Sequence, residues 1–181
     1  MNNMELCEKI LFSGEEIEKR CSEIAKQIYQ DVKGNAVTFL SVLNGSFMFT
    51  SELLKRYEGD CSIDFIQVST YGDGTTTSGK FNVKKALTLD IENKDVVIVE
   101  DIIDSGFTMV NLLEYLKSFK PASIRICTMI DKPHRRTHHV DCDYKAFTLD
   151  KDYFIVGYGL DFAQKYRNFP FIGILKEELY S

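Results

Sequence analysis

Three acidic residues and a hydroxyl-bearing turn follow one apolar run in the middle of the chain. Residues 96–109 read VVIVEDIIDSGFTM, so Glu100 and Asp101 follow the run directly and Asp104 precedes the turn at 105–108. At the start of a helix, free backbone N–H groups, two hydroxyls and a glycine are suited to holding a phosphate. Carboxylates beside a phosphate repel it unless the ligand places sugar hydroxyls or a divalent cation between them. The segment therefore predicts a site for a sugar phosphate with Mg²⁺.

Other phosphate-binding patterns are missing from the sequence. Neither GxxxxGK followed by Ser or Thr nor GxGxxG occurs, so the sequence gives no support to an NTPase or a dinucleotide-binding protein. Taken alone, the turn at 104–108 also fits an ordinary helix N-cap with solvated carboxylates.

The elements around this segment alternate between strands and helices. Ser13 and Glu16 have the spacing of a capping box before a first helix that runs to about residue 33. Strands are predicted at 36–43, 61–70, 81–89, 96–99 and 124–130, and helices at 46–57, where Ser46 is the expected cap, and 108–119. Short β-like pieces at 145–149, 154–156 and 171–175 predict a small lobe beside the sheet. This order predicts an α/β fold with a central, mainly parallel twisted sheet flanked by helices.

The composition is that of one globular domain, which we expect to cover residues 1–181. Apolar residues make up 44% of the chain and charged residues 27%. Acidic residues outnumber basic ones by 27 to 22, which gives no broad basic surface for a nucleic-acid backbone. The five cysteines form no CxxC pair, and no apolar run is long enough for a signal peptide or a membrane span. We therefore expect a cytoplasmic protein that binds neither nucleic acid nor a membrane.

Four further blocks accompany the segment at 96–109. They are VLNGSFMF at 42–49, STYGDGTTTSG at 69–79, DKPHRR at 131–136 and FIVGYGLDFAQKYRNFPFIGIL at 154–175. Together the five blocks resemble the type I phosphoribosyltransferases, and within them the bacterial hypoxanthine phosphoribosyltransferases. The resemblance implies the type I phosphoribosyltransferase fold, with a small hood lobe and a flexible lid loop. It also implies transfer of phosphoribosyl from 5-phosphoribosyl pyrophosphate to N9 of hypoxanthine or guanine, giving a purine nucleoside monophosphate and pyrophosphate.

The same resemblance implies roles for individual residues on the phosphoribosyl side. Asp104 is implied as the catalytic general base. The residues implied to bind phosphoribosyl pyrophosphate are Asn44, Gly45, Glu100, Asp101, Asp104, Ser105, Gly106, Phe107, Thr108 and Arg167. The cofactor implied is Mg²⁺, with Glu100 and Asp101 at one site and Asp161 at a second.

On the purine side, the residues implied to bind the base are Lys132, Phe154, Ile155 and Asp161. Thr70 and Tyr71 are implied to lead the lid. Without the motif, each assignment has an ordinary alternative: a solvated charge for Lys132, core packing for Phe154, and surface ion pairs for Asp161 and Arg167.

Two positions depart from the usual family pattern. Asn44 stands where a lysine is common, so a positive charge is missing near the expected position of the pyrophosphate. This replacement puts in question the protein's affinity for pyrophosphate or the subunit contacts of that lysine. Ser105 stands where threonine is common and keeps the hydroxyl.

Some alternatives stay open at this point. A nucleotide-sensing RNA-binding regulator on the same fold is the second function, although the net charge of −5 and the presence of Asp104 favour the enzyme. Family members are usually homodimers or homotetramers, and the preference among hypoxanthine, guanine and xanthine does not follow from the motifs. His134, His138, His139 and Cys142 lie close in sequence but complete no zinc-binding spacing.

Overall fold

The computed structural model describes residues 3–71 and 80–180. The α-helices in this part of the chain are α1 (Gly14–Asp31), α2 (Phe47–Leu54) and α3 (Phe107–Lys117). The strands are β1 (Cys7–Phe12), β2 (Val37–Leu43), β3 (Cys61–Tyr71), β4 (Lys80–Lys85), β5 (Asp95–Ile103), β6 (Ser123–Asp131), β7 (Tyr144–Thr148), β8 (Ile155–Val156) and β9 (Ile172–Leu175). Single 3₁₀ turns lie at Asn3–Leu6, Pro133–Arg135 and Glu177–Leu179.

The central sheet has the strand order β4-β3-β2-β5-β6-β7, and every neighbouring pair is parallel except β3 and β4. Strand β5 is covered on both faces. Val97 and Val99 pack in the hydrophobic cluster that contains α1 and α2, whereas Val96 and Ile98 pack in the cluster that contains α3. Burial on both faces explains why residues 96–99 of β5 form an unbroken apolar run. The predicted mainly parallel sheet flanked by helices is confirmed.

The capping box before α1 is also confirmed. The backbone N–H of Ser13 donates to Glu16 Oε2 at 2.8 Å, and the N–H of Glu16 donates to Ser13 Oγ at 3.3 Å. Ser46 is the N-cap residue of α2, as expected, but its hydroxyl does not cap the helix, because it donates to the Val42 carbonyl at 2.6 Å instead of receiving an N–H of α2. Helix α2 also ends at Leu54, short of the predicted end at residue 57.

Strands β1, β9 and β8 form a second, antiparallel sheet with its own small core. This is the predicted hood lobe, but its membership differs from the prediction. The piece at 145–149 was expected in the lobe, whereas β7 extends the central sheet as a parallel neighbour of β6. The reason is that Tyr144 and Ala146 are buried in the cluster under α1, and the Tyr144 hydroxyl donates to Asp31 at the end of α1 at 2.9 Å. Strand β1 was not predicted, and β4 is shorter than the predicted strand at 81–89.

No helix in the described ranges is both long and apolar enough to cross a membrane.

A buried carboxylate holds the segment after β4 against β3. Asp64 accepts the backbone N–H groups of Thr88 at 2.6 Å and Leu89 at 2.8 Å, together with the Thr88 hydroxyl at 2.9 Å. Burial disfavours the charged form, but these hydrogen bonds outweigh it and lower the pKa of Asp64 to about 2. The ionised side chain therefore stabilises the fold above the carboxyl's ordinary pKa, and this contribution is lost as the pH falls towards 2.

We expect Asp64→Asn to lower the free energy of unfolding by about 2 kcal/mol at neutral pH, because the pKa of this carboxyl lies at about 2, below its ordinary value. The deficit relative to the wild type should shrink as the pH falls from about 4 to about 2, because the wild-type carboxyl becomes neutral there. Urea unfolding at a series of pH values measures both. Asp90→Asn, at an exposed carboxylate in the same segment, is the control, and a pH-independent deficit for Asp64→Asn would contradict the assignment.

Candidate active site

A cavity of about 550 Å³ lies between the carboxyl ends of β5 and β6 and the small antiparallel sheet. The predicted site residues that line it are Asp101, Asp104, Lys132, Phe154, Ile155 and Asp161. A smaller cavity of about 210 Å³ adjoins it and is lined by the predicted residues Glu100, Asp104, Ser105, Gly106 and Thr108. Asp104 and Ile102 line both cavities. The predicted phosphate turn and the predicted purine residues therefore meet at Asp104.

Glu100 and Asp101 are adjacent carboxylates near the end of β5. Glu100 is buried, and its Oε1 accepts the Asp101 N–H at 3.1 Å, while Asp101 Oδ1 accepts the Ile102 N–H at 2.8 Å. Burial, followed by the neighbouring Asp101 charge, raises the pKa of Glu100, and burial also raises the pKa of Asp101. Two such carboxylates are well suited to a divalent cation or to the hydroxyl donors of a sugar. Across 3–71 and 80–180 no three His, Cys, Asp or Glu side chains converge, so oxygens from a ligand would have to complete a Mg²⁺ site.

The turn at 105–108 leads directly into α3, as predicted. Gly106 is the N-cap of α3 with φ +84°, and the Phe107 N–H is 3.3 Å from Ser105 Oγ. A Cβ at Gly106 would lie 2.3 Å from the carbonyl oxygen of His138, so only glycine fits here. The first N–H groups of a helix have no partner within the helix, which leaves the turn able to receive an anion. The Phe107 side chain packs edge-on against the His138 ring at 5.2 Å and lines neither cavity.

Residues 136–138, which follow β6, hydrogen-bond to the carbonyl groups of residues 103–105 and so hold this turn in place. The Arg136 guanidinium pairs with the Asp131 carboxylate and donates to the carbonyl oxygens of Ile103 at 2.9 Å and Asp104 at 2.6 Å. The N–H groups of residues 137 and 138 both donate to the Ser105 carbonyl, at 3.0 and 2.9 Å. The sequence did not indicate this role for Arg136. The DKPHRR block marks its position, but only the folded chain shows which carbonyl groups it reaches.

Lys132 lies in the larger cavity with only 5% of its surface exposed. Its ammonium donates to the Tyr153 carbonyl at 3.0 Å and to Asp152 Oδ1 at 3.3 Å. The alternative of a solvated strand-end charge is therefore wrong. Buried lysines are rare unless they have partners of this kind.

Phe154 is 38% exposed and lines the same cavity as Ile155, the first residue of β8. Core packing, the alternative for Phe154, does not apply. Its ring stacks on Tyr180 at a centroid distance of 4.4 Å, and Phe162 meets it edge-on at 5.4 Å. Tyr180 also lines the cavity and was missed, because nothing around it in sequence suggests that it reaches Phe154.

Asn44, Gly45 and Arg167 line neither cavity but lie beside one. The Leu43–Asn44 peptide bond is cis, and Asp101 Oδ2 lies over Gly45, only 1.5 Å from where a Cβ would be. Arg167 pairs with Asp161 at 2.8 Å and donates to the Gly159 carbonyl at 2.7 Å. These contacts bring the predicted pyrophosphate residues next to the carboxylates of β5.

Thr70 and Tyr71 are the last residues of β3 and pair in register with Phe81 and Lys80 of β4. The rest of the predicted lid, residues 72–79, lies outside the described residues.

A family model for the phosphoribosyl transferase domain matches residues 9–163. The chain belongs to this family. It is 42% identical over 173 residues to the hypoxanthine-guanine phosphoribosyltransferase of Streptococcus pneumoniae, and the match covers 96% of each protein. The crystal structure of a hypoxanthine phosphoribosyltransferase from Staphylococcus aureus superposes with a TM-score of 0.94 at 41% identity, covering 98% of this chain and 96% of that one.

A ternary substrates complex of the Trypanosoma cruzi hypoxanthine phosphoribosyltransferase superposes with a TM-score of 0.91 at 37% identity, covering 98% of this chain and 100% of that one. These matches extend over almost the whole chain. Within the phosphoribosyltransferases, the protein therefore belongs with the hypoxanthine-guanine enzymes of purine salvage, as the five sequence blocks indicated.

Gly159 of the small lobe packs closely against the backbone of the turn at Gly45. Gly159 has φ +101°, and a Cβ there would lie 2.0 Å from the Gly45 carbonyl oxygen. Gly34 has φ +75° but open space around it, so it serves as a matched control. We expect Gly34→Ala to cost about 1 kcal/mol of stability through its backbone alone. Gly159→Ala should cost more than this and should also lower transferase activity, because the Gly45 turn must move.

Urea unfolding and steady-state kinetics measure the two effects. Equal losses of stability in the two variants, with full activity in both, would show that the contact between Gly159 and Gly45 does not position the site.

Proposed function

We propose that this protein transfers the phosphoribosyl group of 5-phosphoribosyl pyrophosphate to N9 of hypoxanthine or guanine, forming the nucleoside monophosphate and pyrophosphate. The observation that carries the proposal is the position of Asp104, which lines both the cavity beside the phosphate turn and the cavity that holds Lys132 and Phe154. The bond that forms joins a sugar to a purine. A carboxylate at the junction of the two cavities would therefore be next to both reacting partners.

On the sugar side, the turn at 105–108 would grip the 5′-phosphate through backbone N–H groups and hydroxyls. Glu100 and Asp101 would receive hydrogen bonds from the ribose hydroxyls. The backbone at 44–45 and the Arg167 guanidinium would bind the pyrophosphate, with Asn44 contributing no charge. These contacts fix the sugar in one orientation, which removes much of the entropic barrier to a reaction between two molecules.

One Mg²⁺ would be held by Glu100 and Asp101 and a second by Asp161, each together with oxygens of the substrate. When bound, the metal supplies positive charge that neutralises the phosphates and the leaving pyrophosphate. Both Glu100 and Asp101 have raised pKa values through burial, and a neighbouring divalent cation would favour their charged forms.

On the purine side, the Lys132 ammonium would donate a hydrogen bond to O6. Adenine has an amino group at that position, so donor would face donor and binding would be disfavoured. The Phe154 ring would stack on the base, and the main chain at Ile155 would contact the purine edge near C2.

Asp104 would take the N7 proton as N9 attacks C1 of the ribose and return it in the reverse reaction. A carboxylate is a weak base in water, so its effectiveness depends on close placement and on the exclusion of water. Thr70 and Tyr71, at the start of the predicted lid, would help to cover the reacting atoms.

We also propose a cytoplasmic homodimer or homotetramer. All five cysteines are unpaired, as expected in a reducing compartment. Phe47 on α2 and Ile63 on β3 are 44% and 38% exposed, and they offer apolar surface to a second copy of the chain.

Pyrophosphate release tests the proposed function. Incubation with phosphoribosyl pyrophosphate, Mg²⁺ and hypoxanthine should release pyrophosphate, and adenine should give little. Asp104→Asn should lower kcat by about 100-fold or more while nucleotide affinity changes only a few-fold, because asparagine keeps the oxygen that accepts from Arg135. Absence of release with any purine would overturn the proposal, and full turnover in Asp104→Asn would remove its role as the base.

A further inference from the structure

Two charged residues line the larger cavity without a role in the proposed function, Arg135 and Asp152. Arg135 Nε donates to Asp104 Oδ1 at 2.7 Å, and Arg135 Nη1 pairs with Asp152 Oδ2. The other oxygen of Asp152 accepts from the Lys132 ammonium at 3.3 Å. Arg135 and Asp152, called the charge bridge below, thus connect Lys132 to Asp104 through side chains alone.

The two ends of the charge bridge are the two groups proposed to handle the purine. In a 6-oxopurine, O6 and N7 lie on the same edge of the ring, so their two protein partners must be held at one fixed separation. The Lys132 ammonium has three N–H groups. One faces the Tyr153 carbonyl at 3.0 Å and one faces Asp152, which leaves the third for O6. Asp104 uses Oδ1 for Arg135, and its second oxygen is left for N7.

We propose that Arg135 and Asp152 are positioning residues that hold the Lys132 ammonium and the Asp104 carboxylate at the spacing of O6 and N7. This inference rests on the proposed function. The guanidinium group is planar and presents its donors in a rigid fork. It therefore fixes the direction of both carboxylates that it contacts, which a lysine ammonium cannot do.

The backbone that carries the charge bridge is anchored. Arg135 ends the short turn Pro133–Arg135, and its N–H donates to the Lys132 carbonyl at 3.1 Å. The next residue, Arg136, pairs with the buried Asp131. The Arg135 side chain therefore starts from a fixed point beside Asp104.

The exposure of the charge bridge and of Asp104 distinguishes a positioning role from a purely structural one. The side chains of Arg135, Asp104 and Asp152 are 46%, 42% and 56% exposed, and ion pairs this exposed add little to stability. Loss of the charge bridge should leave the folded state almost unchanged and affect only how the purine is held.

The test compares Arg135→Gln, Asp152→Asn, their double variant and Arg135→Lys with the wild type. We expect each neutral variant to raise the KM for hypoxanthine about 5- to 10-fold, less than the loss of a direct charged hydrogen bond to the purine would cost, because Lys132 and Asp104 are still present but are held less firmly. The KM for phosphoribosyl pyrophosphate should stay within about twofold. The double variant should be no worse than the worse single variant, because both changes break the same bridge. Arg135→Lys should not restore the wild-type KM.

A second measurement uses 7-deazahypoxanthine as a competitive inhibitor, since it keeps O6 but has no N7. The wild type should bind hypoxanthine more tightly than this analogue. The ratio of the analogue's inhibition constant to the KM for hypoxanthine should fall towards one in both neutral variants. A merely structural role would weaken both ligands equally. Glu114→Gln, in the exposed pair with Lys117 on α3, is the control and should leave both values unchanged.

The outcomes are distinguishable. A wild type without transferase activity overturns the proposed function and the inference with it. An active wild type with unchanged hypoxanthine KM in both neutral variants overturns the charge bridge alone. Equal increases in both substrate KM values, or thermal unfolding of the variants many degrees below the wild type, would show a structural role and also overturn it.

Discussion

The Arg136 guanidinium pairs with the Asp131 carboxylate and connects the ends of two neighbouring parallel strands, β5 and β6. Asp131 is the last residue of β6, and the carbonyl groups that Arg136 reaches are those of Ile103, the last residue of β5, and of Asp104 just beyond it. Asp131 also accepts from the Lys145 ammonium at 3.3 Å, so it is the loss of Asp131 that would leave the Arg136 charge without its carboxylate, and removing one partner of a buried ion pair typically costs about 3–5 kcal/mol. The carbonyl groups on either side of Asp104 and the phosphate turn are thus fixed by a contact that touches neither cavity. The proposed phosphate binding, proton transfer and purine recognition all depend on this placement.

The site also depends on how the two sheets meet. The central sheet supplies the carboxylates and the phosphate turn, while the small lobe supplies Phe154, Ile155 and Tyr180. Gly159 approaches the Gly45 carbonyl too closely for any side chain, and this contact sets the lobe against the end of β2. The larger cavity is the space left between them. A site divided in this way allows the sugar and the base to be bound by separate parts of the chain and to meet at Asp104.

Much of this arrangement could be predicted from sequence, because it depends on local patterns. The apolar run of β5 and the capping box of α1 contain their own signals. Partners distant in sequence could not be predicted in the same way. Strand β1 pairs with β9 at the other end of the chain, and β7 joins β6 because Tyr144 is buried under α1. The blocks contain most of the residues that line the two cavities, but they could not show that Arg135 and Arg136 point in different directions, one to Asp104 and one to Asp131.

In the proposed reaction, one continuous site holds the phosphate at the start of α3 and the purine beside Lys132. A crystal structure with bound inosine or guanosine monophosphate is the decisive measurement. We expect the 5′-phosphate at the N–H groups of 105–108, the base against Phe154, and O6 within hydrogen-bond distance of Lys132 Nζ. A nucleotide with its phosphate away from this turn, or with its base outside the cavity between the two sheets, would show that the two parts do not form one site.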